Sequence, residues 1–165
     1  MNQTQNKINI NGNFPFYIYH EKGNDCVCYQ GCGNASAEER GRKYSIENKS
    51  KKEIIKYKID GGLITDDNDI KCDYGFYTED DLLILVELKG GDYSHAIEQI
   101  INTIKLLITI PKIKISSVKA RIVVSKIRQP ELRSSDEQKL KRILDSFRKD
   151  NDNLKKQVAQ MTEIL

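Results

Sequence analysis

Near the middle of the chain, Asp73, Glu87 and Lys89 have the residue types and spacing of a site that could cleave phosphate esters. Glu87 and Lys89 close an apolar run, Leu82–Leu88, that is too short for a helix and reads as a buried strand. Residues two apart in a strand project from one face, so Glu87 and Lys89 point together. Cys72–Tyr77 reads as a preceding strand, with Thr78-Glu-Asp-Asp81 as the polar turn between them. In an antiparallel hairpin, a loop of three or five residues centred on Asp80 sets Asp73 opposite Glu87. Opposed Cβ atoms then lie roughly 4.5–5.5 Å apart. Carboxylates that close repel one another unless a cation lies between them. A hard divalent ion, Mg²⁺ or Mn²⁺, takes carboxylate oxygens and keeps other positions for water and substrate phosphate. Asp73 and Glu87 are therefore the candidate metal ligands. Lys89, one pleat along, is placed to orient a water or to stabilise charge developing on a phosphate.

Asp73, thirteen intervening residues and Glu87-Leu88-Lys89 resemble the PD-(D/E)XK nuclease superfamily, in which a strand Asp precedes a strand carrying Glu-X-Lys. The likeness spans Glu53–Lys126. It rests on the order hairpin, apolar strand, Gly90-Gly91, amphipathic helix and further strand. Cys72 stands where the family's name has proline. The resemblance implies an α/β fold, a restriction-endonuclease-like core with a central mixed β-sheet flanked by helices. It implies metal-dependent hydrolysis of phosphodiester bonds, in DNA first and in RNA as an alternative. It also implies a third acid from upstream, for which Glu47, Glu53 and Asp60 are available. Glu47 is preferred because Asp60 adjoins Gly61-Gly62. A glutamine on the following helix can support the lysine in some members, and Gln99 is that residue here. Helical spacing nevertheless puts Gln99 and His95 away from the centre of the apolar stripe, which predicts an exposed side chain.

The elements that must hold these residues follow from pattern. Glu53–Asp60 alternates, with Ile55, Tyr57 and Ile59 on one face and Lys56, Lys58 and Asp60 on the other. Those two lysines suit either a phosphate backbone or a solvated strand face. Asp92 or Ser94 caps a helix whose stripe is Ile97, Ile100, Ile101, Ile104, Leu107 and Ile108, closed by Pro111. Val118–Ser125 follows this crossover and is expected to run parallel to the strand of Glu87. Upstream, Phe16–Tyr19 and Val27–Tyr29 suggest a hairpin within residues 14–32, Ala35–Tyr44 a short helix, and Tyr44–Asn48 a short strand. Cys26, Cys28 and Cys32, with His20 nearby, lack the paired spacing of a zinc site and read as free thiols.

From Leu140, apolar residues recur at steps of four and three through Leu144, Phe147, Leu154, Val158, Met161 and Leu165, with Asn151 as the polar member. This predicts a long C-terminal helix over residues 131–165, appended to a nuclease-like domain over residues 1–130, and a homodimer formed through a coiled coil. A catalytically inactive binding or assembly protein dimerising through that helix is the other functional reading. The whole chain of 165 residues is 38% hydrophobic and 31% charged, and its net charge of +3 permits nucleic-acid binding without demanding it. No apolar stretch reaches the roughly 18 residues of a membrane span. The polar start, MNQTQNKINING, lacks a signal pattern, so a cytoplasmic protein is expected.

Overall fold

The computed structural model describes residues 15–16, 26–126 and 135–165. In chain order these form β1 (Val27–Gly31), β2 (Ala35–Glu39), β3 (Arg42–Glu47), β4 (Ile54–Lys58), β5 (Tyr74–Thr78), β6 (Leu82–Lys89), α1 (Tyr93–Ile104), β7 (Ser117–Val124), α2 (Ser135–Phe147), β8 (Leu154–Val158) and β9 (Gln160–Ile164). A six-stranded mixed sheet has the order β1-β4-β5-β6-β7-β8, and a second sheet has the order β2-β3-β9. Strands β1, β4, β5 and β6 are antiparallel to their neighbours, whereas β6, β7 and β8 run parallel.

Alternation along β6 shows how three layers arise. Leu83 and Leu85 face a core shared with α1 and α2, through Ala96, Ile97, Ile100, Leu140 and Leu144. Ile84, Val86 and Leu88 face the opposite way, onto Ala37, Tyr44, Ile46 and Met161 of the small sheet. Both faces are buried, which is why β6 reads as a continuous apolar run. The β5–β6 loop is Glu79–Asp81, centred on Asp80 as expected, with Asp81 in the left-handed region at φ 61°. Helix α1 is capped by Asp92, whose side chain accepts from the His95 amide, and it continues as a π-helical turn over Lys105–Thr109 before Pro111. The parallel pairing of β7 with β6 also matches expectation.

Two expected elements are corrected. Ala35–Tyr44 is not a helix but the β2–β3 hairpin, turned by Arg40 and Gly41, both at positive φ (47° and 76°). Such a two-residue turn, with positive φ at both positions, suits the twist of paired strands. The long C-terminal helix and its coiled coil are also not formed. Helix α2 ends at Phe147, and residues 154–164 are strands β8 and β9. The interruption lies in Asp150-Asn-Asp-Asn153. The Asp152 amide donates to the Asp150 side chain, and Asn153 Nδ2 donates to the Arg148 carbonyl beyond the helix end. Leu140 and Leu144 then pack in the chain's own core rather than against a partner, so the expected dimer loses its coiled-coil basis. Residues 135–165 are no appendage, because they supply one strand to each sheet. Ala159, at φ 62°, is the switch between them: its amide donates to the Val124 carbonyl and its carbonyl accepts from the Lys43 amide. Of the expected N-terminal hairpin, β1 is present and Phe16 is buried against Tyr57, while residues 17–25 lie outside the described residues.

Candidate active site

The parallel strands β6, β7 and β8 all end at one edge of the sandwich, and the candidate residues gather there. Tyr74 pairs with Val86, so the register carried one step further sets Asp73 opposite Glu87. Both project toward the face covered by α1, as does Lys89. The Asp73 carboxylate is held from the β6 side: its Oδ2 accepts from the Leu88 amide at 2.7 Å. Glu87 is only 2% exposed, and among the described residues its Oε2 has no hydrogen-bond partner. A buried carboxylate oxygen left in that state costs free energy unless something neutralises it.

The electrostatics agree. Burial pushes Asp73 up to about 6; the Leu88 hydrogen bond and the Lys89 charge act against this, and the charges of Glu39 and Asp60 add to it. Burial and then the charge of Asp73 push Glu87 up to about 8, with Lys89 and the Asp73 amide pulling down and Glu39 pushing further up. The site thus holds more negative charge than its own donors stabilise.

Lys89 is held in place by α1. Its Nζ donates to Gln99 Oε1 at 2.9 Å, and Gln99 Nε2 donates to the Lys71 carbonyl at 2.8 Å. Gln99 is therefore half-buried and engaged with the lysine, not exposed as its angle on the helix predicted. His95 instead sits beside Glu98 at the surface, 3.4 Å from its carboxylate. The Cys72 amide donates to Thr103 Oγ1 at 2.9 Å, a bond that proline at this position could not make. That bond ties the start of β5 to α1, and burial holds the Cys72 thiol well above its ordinary range.

The upstream acids are sorted by the fold. Glu47 ends β3, paired to Lys49 at 3.8 Å, at the far end of that strand from Arg42, which contacts the site's backbone. Glu53 accepts from Gln30 Nε2 at 2.6 Å, also away from the site. Asp60 lies close enough to raise Asp73, while 3.4 Å from Lys71 Nζ. Its position depends on a tight turn after β4, where a Cβ on Gly62 would lie 2.2 Å from the Lys58 carbonyl oxygen. The residue missed by pattern is Glu39, at the end of β2, whose charge reaches both carboxylates. Read as a strand rather than a helix, Ala35, Ala37 and Glu39 share the inward face, which is the signal that would have found it. Arg42, across the same turn, is buried; its Nε donates to the Leu88 carbonyl at 3.0 Å and its Nη1 to Ser125 Oγ at 2.9 Å. It braces the backbone between Glu87 and Lys89 from behind.

Among the described residues, no group of three or more His, Cys, Asp or Glu side chains forms a ready metal cage. Cys26 and Cys72 are buried, and Cys28 and Cys32 are exposed. A Mg²⁺ site needs only one or two carboxylates, completed by water and phosphate oxygens. Asp73 and the unsatisfied Glu87 fit that requirement. No protein-family model, curated protein or solved structure matches the chain.

Proposed function

We propose that this chain is a metal-dependent nuclease of the PD-(D/E)XK kind, hydrolysing phosphodiester bonds in DNA. The observation that carries the reading is the unsatisfied, buried Glu87 carboxylate beside Asp73, with a lysine fixed one pleat along. A divalent ion bound by Asp73 and Glu87 would supply Lewis acidity and neutralise a phosphate's charge. The chain's own residues do the rest. Asp73, clamped by the Leu88 amide, presents its second carboxylate oxygen in a fixed direction. Lys89 directs an ammonium at the same space, and its contact with Gln99 removes rotamer freedom that would otherwise be lost on binding substrate. That ammonium can hold an attacking water or a phosphoryl oxygen through charge-assisted hydrogen bonds. The packed layers behind β6 keep the arrangement rigid.

The test is cleavage of single- and double-stranded DNA and RNA by the wild type with Mg²⁺ or Mn²⁺, beside Lys89→Ala and beside chelator. The expected result is metal-dependent cutting of DNA that falls by about 10²–10³-fold in Lys89→Ala. Cutting of RNA alone would move the substrate to RNA. No cutting of any polymer would overturn the nuclease reading and leave a binding or assembly protein.

A further inference from the structure

One flank of the sheet is not used by the catalytic residues. Strands β1, β4 and β5 lie at one side of the six-stranded sheet. On the face toward the small sheet, the core there includes Ile54 and Phe76, with Tyr29 and Tyr74 only partly buried against it. Lys56 and Lys58 stand on the same face of β4, opposite Phe76 and Tyr74 respectively. Lys56 Nζ lies 4.5 Å from the centroid of the Tyr74 ring, the diagonal contact of an antiparallel pair. Among the described residues neither lysine has a carboxylate within ion-pair distance, whereas Lys43, Lys49, Lys52 and Lys71 each do. Burial holds the Lys56 ammonium below its ordinary range, with the neighbouring Cys28 opposing. Among the described residues it is a half-buried cation without a carboxylate at ion-pair distance.

The geometry of the strip is directional. Side chains two apart on a strand are separated by about 6.6 Å, close to the step between neighbouring phosphates of an extended nucleic-acid strand. Strand β4 runs from Lys56 through Lys58 toward Asp60, whose charge is felt at Asp73. Tyr74 immediately follows Asp73 in the chain and projects from the opposite face of the sheet, yet the Asp73 charge reaches it, so strip and site adjoin around this end of β5. The Glu39 carboxylate, whose charge reaches Tyr74, borders the strip at that end and confines phosphate contacts to the β4 side.

We propose that this flank binds one strand of nucleic acid, with Lys56 and Lys58 on successive phosphates and the Tyr74 ring against a base, and feeds that strand to Asp73 and Glu87. A cationic row with an interleaved aromatic is the chemistry that single strands require. The inference rests on the nuclease reading for its direction, and on charge complementarity for its occupant.

The experiment is a salt titration of binding to a short fluorescein-labelled oligothymidylate, followed by anisotropy with chelator present so that nothing is cut. Lys56→Gln with Lys58→Gln removes both charges while keeping the first two methylenes of each stem and should preserve the fold, which circular dichroism checks. The slope of log affinity against log salt should fall by about 1.4 in this double variant, two contacts at roughly 0.7 each. Tyr74→Leu should weaken binding roughly tenfold with the slope unchanged. An unchanged slope in the double variant, absent binding by the wild type, or equal binding of a duplex would overturn the proposal. Wild type that cuts DNA while the slope is unchanged refutes the flank alone. Wild type that shows the predicted slopes but cuts nothing refutes the nuclease reading alone.

Discussion

Two buried ionic clusters lie on opposite faces of the central sheet, and they differ in how well their charges are matched. On the small-sheet face, Arg121 is 1% exposed and bonds Glu163 Oε2 through Nε at 2.7 Å and Asp152 Oδ2 through Nη2 at 2.9 Å. Tyr44 Oη donates to Glu163, and Lys155 pairs with both acids. Burial works against the Glu163 charge, yet hydrogen bonds from Arg121, Tyr44 and Lys155 hold its carboxyl below the ordinary range. Asp152 is likewise held down, against burial, by Lys155, Lys119 and Arg121. On the helix face, Asp73 and Glu87 are pushed up instead, and one carboxylate oxygen is unsatisfied. The matched cluster fastens β8 and β9 to β7. The unmatched one holds two raised acids and an oxygen without a partner among the described residues, and that excess is what supports the proposed metal site.

The sharpest way to break the comparison is to unbalance the matched side. Arg121→Met leaves Glu163 and Asp152 with fewer partners and should cost about 3–5 kcal/mol of stability in denaturant unfolding. A loss below about 1 kcal/mol would mean that the C-terminal strands are held by apolar packing alone.

The two clusters should also respond to pH with opposite sign. Asp73, raised to about 6, and Glu87, raised to about 8, bind protons more tightly folded than unfolded. The metal-free protein therefore loses stability as pH rises from the ordinary carboxylate range through 6 and on to 8. Glu163 and Asp152, held down, contribute stability that is present above that range and is lost on acidification. Melting temperatures from pH 5 to pH 8 should fall in the wild type, much less in Glu87→Gln, and less again with Mg²⁺ present. Each kcal/mol recovered corresponds to about 2–4 °C in a chain of this size. A wild type whose melting point is flat over this range would contradict the unmatched pair.

Much of this arrangement was legible before the fold. Asp80 at the centre of a three-residue loop placed Asp73 across from Glu87, and the apolar run before Glu87 identified a strand buried on both faces. Hairpin register is a local property, so short patterns determine it. The second sheet was not legible in the same way. Steps of four and three from Leu140 to Leu165 satisfy a helix, yet Leu154 pairs with Ala120 and Met161 with Tyr44 as strand residues. Non-local pairing overrides the local period, and the turn formers Asp150-Asn-Asp-Asn153 are the local signal that the helix ends there. Glu39 and Arg42 escaped for a different reason: Ala35–Tyr44 carries helix-forming residues, yet Arg40-Gly41 turns it into a local hairpin in which Glu39 and Arg42 pair.

A smaller effect separates support from chemistry. Gln99→Leu removes the acceptor that holds Lys89 and should lower the cleavage rate about tenfold, the range of one hydrogen bond to a charged group. Gln99→Glu keeps an acceptor and should recover most of that rate, with metal affinity little altered in both variants. Equal losses in the two would show that Gln99 serves only the packing of α1.

The most direct measurement is calorimetric titration of Mg²⁺ or Mn²⁺ at pH 7 in buffers of different ionisation enthalpy, for the wild type and for Asp73→Asn. Asparagine keeps an acceptor for the Leu88 amide, so the hairpin is preserved. Because Glu87 sits at about 8, the wild type should bind one ion and release close to one proton as that carboxyl ionises. Asp73→Asn should bind at least tenfold more weakly. Binding that is absent in the wild type, or unchanged in Asp73→Asn, would contradict the claim that the unmatched acids are a metal site.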